Sequence, residues 1–350
     1  MRPRPAPFLV RWLARLLAAL WLGALLPAAH AGSGAGAASG MLCPRPPRQS
    51  AAAQAAVLEL AAAVRHTLQA SGQGVALISR SGIDLRRFGL RYSHGGIALR
   101  RADSAAPEQE NPPPAWAVRQ LYYDCEQGRP RLFDQGLAGF LLAADAPAGP
   151  LHVALVLLPP EQAAPVQAAA SQRPLALRLL AARYSANAYP FSPRYQNCNQ
   201  WVAELLASAW GRLPDGPDLR QRAQSWLRAH GYAPAPVAIG SHWLKFAASF
   251  VPLLHLDDHP DDARYGMALQ TSLPHTVQAL ARQQAPQARR IEFCVDHEKI
   301  VRHEGWPATL PLPADTPATP ATPATPDAPD APDAPATCPT PPGAQITALP

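Results

Sequence analysis

The segment Tyr195–Trp201 (YQNCNQW) constrains this chain more than any other, because it predicts a cysteine at the first position of a helix. Asn197 is a favourable N-cap residue, and Gln200 follows at the spacing of a capping box. The unpaired N–H groups and the macrodipole of a helix N-terminus favour an anion. We therefore expect Cys198 to be a nucleophile with a depressed thiol pKa. The alternative is a structural or disulfide-bonded cysteine.

A second segment, Arg91–Ile97 (RYSHGGI), places His94 near the start of a predicted strand. Thiol catalysis needs a base that accepts the thiol proton, and an imidazole can serve. Gly95 and Gly96 carry no side-chain bulk, so another element can approach this strand closely. The sequence thus predicts His94 as the base for Cys198. A histidine that simply packs in the core is the alternative.

A third polar group is expected to orient the imidazole. The next predicted strand carries Gln120, in phase with Trp116 and Val118, and its side chain could accept a hydrogen bond from the far ring nitrogen. Arg119 points the other way. Plain sheet packing of Gln120 is the alternative.

Two histidines, His255 and His259, alternate with carboxylates and could ligate a divalent metal. Pro260 and the acidic run favour a solvated turn with local aspartate caps instead. His242 and Trp243 could line a cleft, although nothing in the sequence fixes them there. We predict no metal and no cofactor.

The N-terminus has the pattern of a secretory signal. Four arginines precede the apolar run Leu16–Leu26, and Ala29-His-Ala31 supplies small residues for cleavage after Ala31. We therefore expect export to the periplasm and no stable transmembrane span in the mature chain. A retained single anchor helix is the alternative.

Removing this segment changes the charge balance. The chain has 31 basic and 25 acidic residues, and the four arginines of the signal leave 27 against 25, a mature charge of +2. No basic run interleaved with aromatic residues is present, so nucleic-acid binding is not predicted.

The mature chain keeps five cysteines, at positions 43, 125, 198, 294 and 338. Exported proteins meet oxidising conditions, and an odd count leaves at least one cysteine outside an intramolecular pair. Cys198 is the candidate for the unpaired thiol. Cys43 with Cys125 is the first pairing to expect.

Residues 1–31 are assigned to the signal, 32–50 to an irregular lead, 51–306 to one α+β domain and 307–350 to a tail. Alanine, threonine, aspartate and proline repeats predict a disordered, dispensable tail, so truncation after about Gly305 should leave the domain folded. A partner or cell-wall tether is the alternative role. The periodicity of the domain predicts helices over Val57–Leu68, Leu175–Arg183 and Leu219–His230, and strands over Gly74–Arg80, Leu90–Arg100, Trp116–Tyr123, Leu151–Leu158, Ile291–Cys294 and Ile300–His303.

Several motifs in order resemble the DUF2145 family of exported bacterial proteins, from about Cys43 to Gly305. They are RYSHGGI at 91–97, WAV at 116–118, QGL at 135–137, QNCNQW at 196–201 and LDDHP at 256–260. More distantly, a strand histidine before a helix cysteine resembles the permuted NlpC/P60 papain-like group, which includes YiiX-type proteins and lecithin–retinol acyltransferase relatives.

That wider resemblance implies an antiparallel sheet packed on helices, Cys198 as nucleophile, His94 as base and a polar residue of the next strand as orienter. Members often place a histidine or glutamate where this chain offers Gln120. The implied activity is hydrolysis or acyl transfer on a cell-wall peptide or lipid acyl group. A catalytically inactive papain-like binding module of the envelope is the alternative. Oligomeric state is left open.

Overall fold

An eight-stranded antiparallel sheet forms the centre of the molecule. The computed structural model describes residues 49–83, 85, 88–101, 115–143, 149–234, 236–307 and 337–349. The predicted signal, the lead through residue 48 and residues 308–336 of the predicted tail lie outside this description, as does Cys43. The strands of the sheet are β1 Val75–Arg80, β2 His94–Arg101, β3 Ala115–Asp124, β4 Arg129–Gly136, β5 Leu151–Leu157, β8 Arg289–Val295, β9 Lys299–Glu304 and β10 Gln345–Ala348. Their order in the sheet is β10-β9-β8-β5-β1-β2-β3-β4.

Helices cover both faces of the sheet, and the core therefore consists of two apolar layers. Helices α1 and α2 pack on one face, and α3, α5, α6 and α9 on the other. A short two-stranded sheet of β6 and β7 stands apart. The remaining elements are α1 Ala51–Ala70, α2 Leu137–Leu142, α3 Pro160–Ser171, α4 Arg173–Arg178, α5 Cys198–Trp210, α6 Leu219–Ala229, β6 Val237–Ala238, α7 His242–Ala248, α8 Asp261–Tyr265, β7 Ala268–Leu269 and α9 Pro274–Gln284.

Helix α1 follows directly from its sequence pattern. The Ser50 hydroxyl accepts the Ala53 N–H at 3.2 Å as an N-cap, and Leu60, Val64 and Leu68 are fully buried. Gly72, with φ of +70°, follows the helix in the left-handed region that glycine tolerates. The predicted helix is confirmed and begins six residues earlier than its apolar pattern.

The fold class is α+β, with an antiparallel sheet packed against helices, as predicted. No helix among the described residues has the length and apolarity to cross a bilayer.

One local prediction has the wrong bounds, and two elements were not predicted. The helix predicted to run to Arg183 ends at Arg178, and α3, an alanine-rich helix before it, was not predicted. Strand β4 was missed because it contains Pro130, which usually argues against a strand. Proline is tolerated there because β4 is an edge strand that pairs with β3 alone.

The disordered-tail prediction is wrong for residues 337–349. Strand β10 pairs with β9, and a disulfide joins Cys338 to Cys294 on β8. The Cys338 N–H also donates to the Asp296 carboxylate at 2.7 Å. The C-terminal segment is therefore part of the sheet, and a domain boundary near Gly305 would remove one of its strands.

Candidate active site

Cys198 begins α5, as the sequence predicted. Asn197 caps the helix, since its Oδ1 accepts the Gln200 N–H at 2.8 Å. The cap is itself held, because Asn197 Nδ2 donates to the carbonyls of Ala186 and Ser272, each at 3.1 Å. The capping box is wrong, because the Gln200 side chain donates instead to carbonyls of the preceding loop.

Backbone N–H groups surround the Cys198 sulfur. Gly95 of β2, Asn199 and Cys198 itself each direct an N–H toward it, and these donors lower the thiol pKa. The positive charge of Arg80 acts in the same direction. Burial outweighs them all, so the pKa of the Cys198 thiol is raised above its ordinary value. The expectation of a depressed pKa is therefore wrong, because the side chain is almost fully withdrawn from water.

Cys198 is the free cysteine among the described residues. Cys294 and Cys338 are paired with each other, and Cys125 is also disulfide-bonded. The expected partner of Cys125, Cys43, lies outside the described residues. The unpaired thiol is thus Cys198, the residue that the sequence indicated as the candidate.

His94 opens β2, and its Nε2 lies 2.6 Å from Gln120 Oε1. The Gln120 amide group donates to Gln135 Oε1, so its carbonyl oxygen faces the ring and Nε2 must carry the proton. This network assigns the lone pair of the ring to Nδ1. The hydrogen bond expected between Gln120 and His94 is present, and Gln135 extends it by one residue.

The His94 ring is neutral in this environment. Burial, and then the nearby Arg80 guanidinium, lower its pKa to about 3, although the Gln120 hydrogen bond opposes the shift. Tyr122 and Phe140 pack beside the ring, with centroids at 4.8 and 5.9 Å. The base and the thiol are therefore both uncharged at neutral pH.

No hydrogen bond joins the His94 ring to the Cys198 sulfur within the described part of the chain. The strand of His94 contacts the Cys198 sulfur through Gly95 instead. Gly95 follows His94 and directs its N–H at the sulfur. A β-carbon at Gly95 would lie only 2.7 Å from Asn199 Oδ1, and Asn199 Nδ2 donates to the Ser93 carbonyl at 3.3 Å. Helix α5 thus begins in close contact with the strand that carries His94.

Arg80 is a site residue that sequence reasoning missed. Arg80 on β1 lies opposite His94 on β2 in the register of the sheet. Its guanidinium donates to the Tyr122 hydroxyl at 2.8 Å and to the Ala143 carbonyl at 3.0 Å. Its charge acts on both His94 and Cys198. The available signal was an arginine at the end of a strand that begins with four apolar residues.

A buried ion pair between Glu204 of α5 and Arg220 of α6 was also missed. The Glu204 carboxylate, with no exposed side-chain surface, accepts from Arg220 Nε at 2.9 Å and Nη2 at 3.0 Å. Gln196, Gln200 and Gln224 donate to the same carboxylate. Arg220 also donates to the carbonyls at 193 and 195, so the pair fixes the loop that leads into Cys198.

The segment from His255 to Asp262 is a turn, as predicted, but the Asp258 and His259 side chains in its middle are buried rather than solvated. His259 is buried and donates from Nε2 to the Asn187 carbonyl at 2.7 Å, and Asp258 accepts the Tyr189 N–H at 3.0 Å. Burial raises the pKa of Asp258 to about 6. His255 stacks on Tyr195 with centroids 4.4 Å apart. These side chains hold the loop before α5 in place.

No group of three or more histidine, cysteine or acidic side chains among the described residues is arranged to hold a metal. A groove between α1 and strands β8–β10, edged by His66, Arg289 and Arg302, shares no lining residue with the Cys198 site. Trp243 does not line a cleft, because 80% of its surface is exposed.

Comparison with known proteins identifies one family. The family model described as an uncharacterized protein conserved in bacteria (DUF2145) matches residues 67–280. This span is more than half of the 350 residues and contains His94, Gln120 and Cys198. No curated protein and no solved structure matches the chain.

Proposed function

We propose that this chain, which belongs to the DUF2145 family of bacterial proteins, is an exported thiol hydrolase or acyltransferase of the periplasm. Its substrate is an amide, ester or thioester in a cell-wall peptide or a lipid acyl group. Cys198 is the nucleophile, His94 is the base and Gln120 orients the imidazole.

One observation carries the proposal: the free thiol of Cys198 lies at a capped helix N-terminus that packs against the strand of His94, and three backbone hydrogen bonds act to lower its pKa. One of these comes from Gly95, the neighbour of the histidine. Such donors stabilise a thiolate, and they can equally bind the oxyanion that forms when a carbonyl is attacked.

The chemistry follows from the assigned tautomer. As the Cys198 sulfur forms a bond to the carbonyl carbon, its proton passes to Nδ1 of His94, and the carbonyl oxygen becomes an oxyanion held by N–H groups. When the tetrahedral intermediate collapses, the bond to the leaving amine, alcohol or thiol breaks, and His94 returns the proton to that group. Water or another acceptor then attacks the thioester, with His94 again taking and returning a proton.

The resting thiol and imidazole are neutral, so the proton moves only when substrate is bound. Catalytic hydrogen bonds are often long or poorly aligned without substrate and shorten in the substrate complex. Gln120 supports this role because it holds Nε2–H and leaves Nδ1 as the basic atom.

We also propose that the fold is a circularly permuted papain-like domain. In papain-type enzymes the cysteine helix precedes the histidine strand. Here strands β2 and β3, which carry His94 and Gln120, precede α5 in the chain. The packing of the α5 N-terminus on β2 supports the permuted arrangement.

A second candidate function is a catalytically inactive binding module of the cell envelope. The raised thiol pKa and the lowered imidazole pKa favour it, because they describe a poorly activated pair. This candidate requires that Cys198 form no acyl intermediate.

Turnover assays separate the two candidates. The wild type should release product from at least one of an N-acyl peptide, a phenyl ester and an acyl thioester. Cys198→Ala should abolish this release and His94→Ala should reduce it strongly. His297→Ala is the matched control, since that side chain is 72% exposed. Turnover that survives Cys198→Ala would contradict the proposed nucleophile.

A further inference from the structure

Gln120 alone cannot decide which nitrogen of His94 carries the proton. A primary amide has an acceptor at one end and a donor at the other, and either end can face an imidazole nitrogen. Gln120 is fully buried, and its side chain bonds to His94 and Gln135, with no further hydrogen bond within the described part of the chain. The direction of this amide is therefore set by its second contact, at Gln135.

Gln135 lies where the QGL segment at 135–137 joins β4 to α2. Strand β4 is an edge strand, and Gln135 lies opposite Val118 in the pairing with β3. Gln120 is two positions further along β3, so it is a diagonal neighbour of Gln135 on the same face of the sheet. Gln135 is partly exposed, whereas Gln120 is not. The edge of the sheet thus places a polar side chain within reach of a buried amide.

The contact between the two glutamines selects one of two arrangements. Gln135 Oε1 accepts from Gln120 Nε2 at 2.5 Å, and Gln120 Oε1 lies 2.6 Å from His94 Nε2. In this arrangement Nε2 of the ring holds the proton and Nδ1 keeps the lone pair. In the reverse arrangement Gln135 would donate to Gln120, and Gln120 would donate to His94. The ring proton would then lie on Nδ1, and the basic nitrogen would be Nε2, which Gln120 already occupies.

We propose that Gln135 is a positioning residue, which fixes the tautomer of His94 by accepting a hydrogen bond from Gln120. Gln135 makes no hydrogen bond to His94 or Cys198 in the region that the structure describes, so it acts through Gln120. The tautomer follows from these hydrogen bonds alone, whereas its effect on turnover rests on the proposed function.

Two substitutions at position 135 separate this role from simple packing. Gln135→Met removes the acceptor and keeps the approximate length of the side chain, while Gln135→Glu keeps an acceptor that cannot donate as a carboxylate. The full chain carries isotope-labelled histidine, and proton–nitrogen NMR at neutral pH shows which ring nitrogen holds the proton. The signals of His94 are identified by their loss in His94→Ala.

We expect the His94 proton on Nε2 in the wild type and in Gln135→Glu. Gln135→Met should move a measurable share of it to Nδ1, because the Gln120 amide can then face either way. The kcat of this variant should fall in proportion to that share, with KM nearly unchanged, since only one tautomer offers Nδ1 as the base. Gln54→Met is the matched control, because Gln54 is an exposed glutamine on α1, and it should change neither quantity.

Three results would overturn the proposal. They are a proton on Nδ1 in the wild type, an unchanged tautomer in Gln135→Met, and a tautomer in Gln135→Glu that differs from the wild type. A fall in kcat without a change of tautomer would show that Gln135 acts only through packing. Absence of turnover in the wild type would count against the proposed function, while the NMR result would still decide the role of Gln135.

Discussion

Gly95 and Asn199 meet so closely that a β-carbon on Gly95 would lie 2.7 Å from the Asn199 amide oxygen. Asn199 is buried and its amide also donates to Ser93, so it cannot move aside freely. This contact sets how near the start of α5 comes to the strand of His94. The geometry of the candidate site therefore depends on a glycine that carries no reacting group.

Gly95→Ala should displace the α5 N-terminus and reduce the reactivity of Cys198. We expect a loss of about 1–3 kcal/mol in the free energy of unfolding, typical of overpacking, measured by urea denaturation. Gly136→Ala is the matched control, since a β-carbon added there would meet nothing within 4 Å and its φ is −60°. Equal reactivity in Gly95→Ala and wild type would show that this contact does not position the thiol.

The rate of turnover should not fall near pH 6.5, as it does when a catalytic histidine with an ordinary pKa becomes protonated. The pKa of His94 is lowered from 6.5 to about 3, so the base stays unprotonated and active well below neutral pH. The raised thiol pKa keeps Cys198 protonated through the same range. We expect kcat/KM to stay nearly constant from about pH 8 down to about pH 5. A fall centred near 6.5 would mean that His94 titrates as an ordinary imidazole.

Removal of Arg220 should destabilise the protein far more than removal of an exposed arginine. Arg220→Met leaves the Glu204 carboxylate buried without its cation, which costs about 3–5 kcal/mol of unfolding free energy. Arg178→Met is the control, because its pair with Asp215 is 43% and 48% exposed, and surface pairs contribute about 0–1 kcal/mol. Similar losses in the two variants, measured by urea denaturation, would contradict the assigned role of the buried pair.

The C-terminal segment should contribute to stability through its disulfide. The double variant Cys294→Ser and Cys338→Ser should lose about 2–4 kcal/mol of unfolding free energy without reductant, because the unfolded chain is no longer constrained. Thr347→Ala, an exposed change on β10, serves as the control and should be nearly neutral. A double variant as stable as the wild type would show that the disulfide does not contribute to the stability of the fold.

Local sequence patterns predicted many of the helices and strands of this molecule. They failed where contacts between distant parts of the chain determine the structure. The strands β1, β2, β3 and β5 follow from the local sequence pattern, and the N-cap at Asn197 follows from one residue type at one position. Strand β10 could not be predicted, since its pairing with β9 and its disulfide join it to residues about 40 positions earlier.

In the candidate site too, residues with a local sequence signature were predicted, and properties that depend on distant contacts were not. Cys198, His94 and Gln120 were found because each has a local signature, and the structure brings Gln120 to His94. The direction of the thiol pKa was wrong, because the helix N-terminus is readable in sequence whereas burial is a property of the whole fold. Arg80 and the Glu204–Arg220 pair were missed for the same reason, since their contacts cross between elements.

The most direct test of the account is acyl transfer to Cys198 in the unreduced full chain. The wild type is treated briefly with p-nitrophenyl acetate at neutral pH, and modified residues are mapped by mass spectrometry beside His94→Ala and the exposed control His297→Ala. We expect one acetyl group on Cys198 in the wild type and the control, formed much more slowly in His94→Ala. An unmodified Cys198, or equal rates with and without His94, would contradict it and favour the inactive binding module.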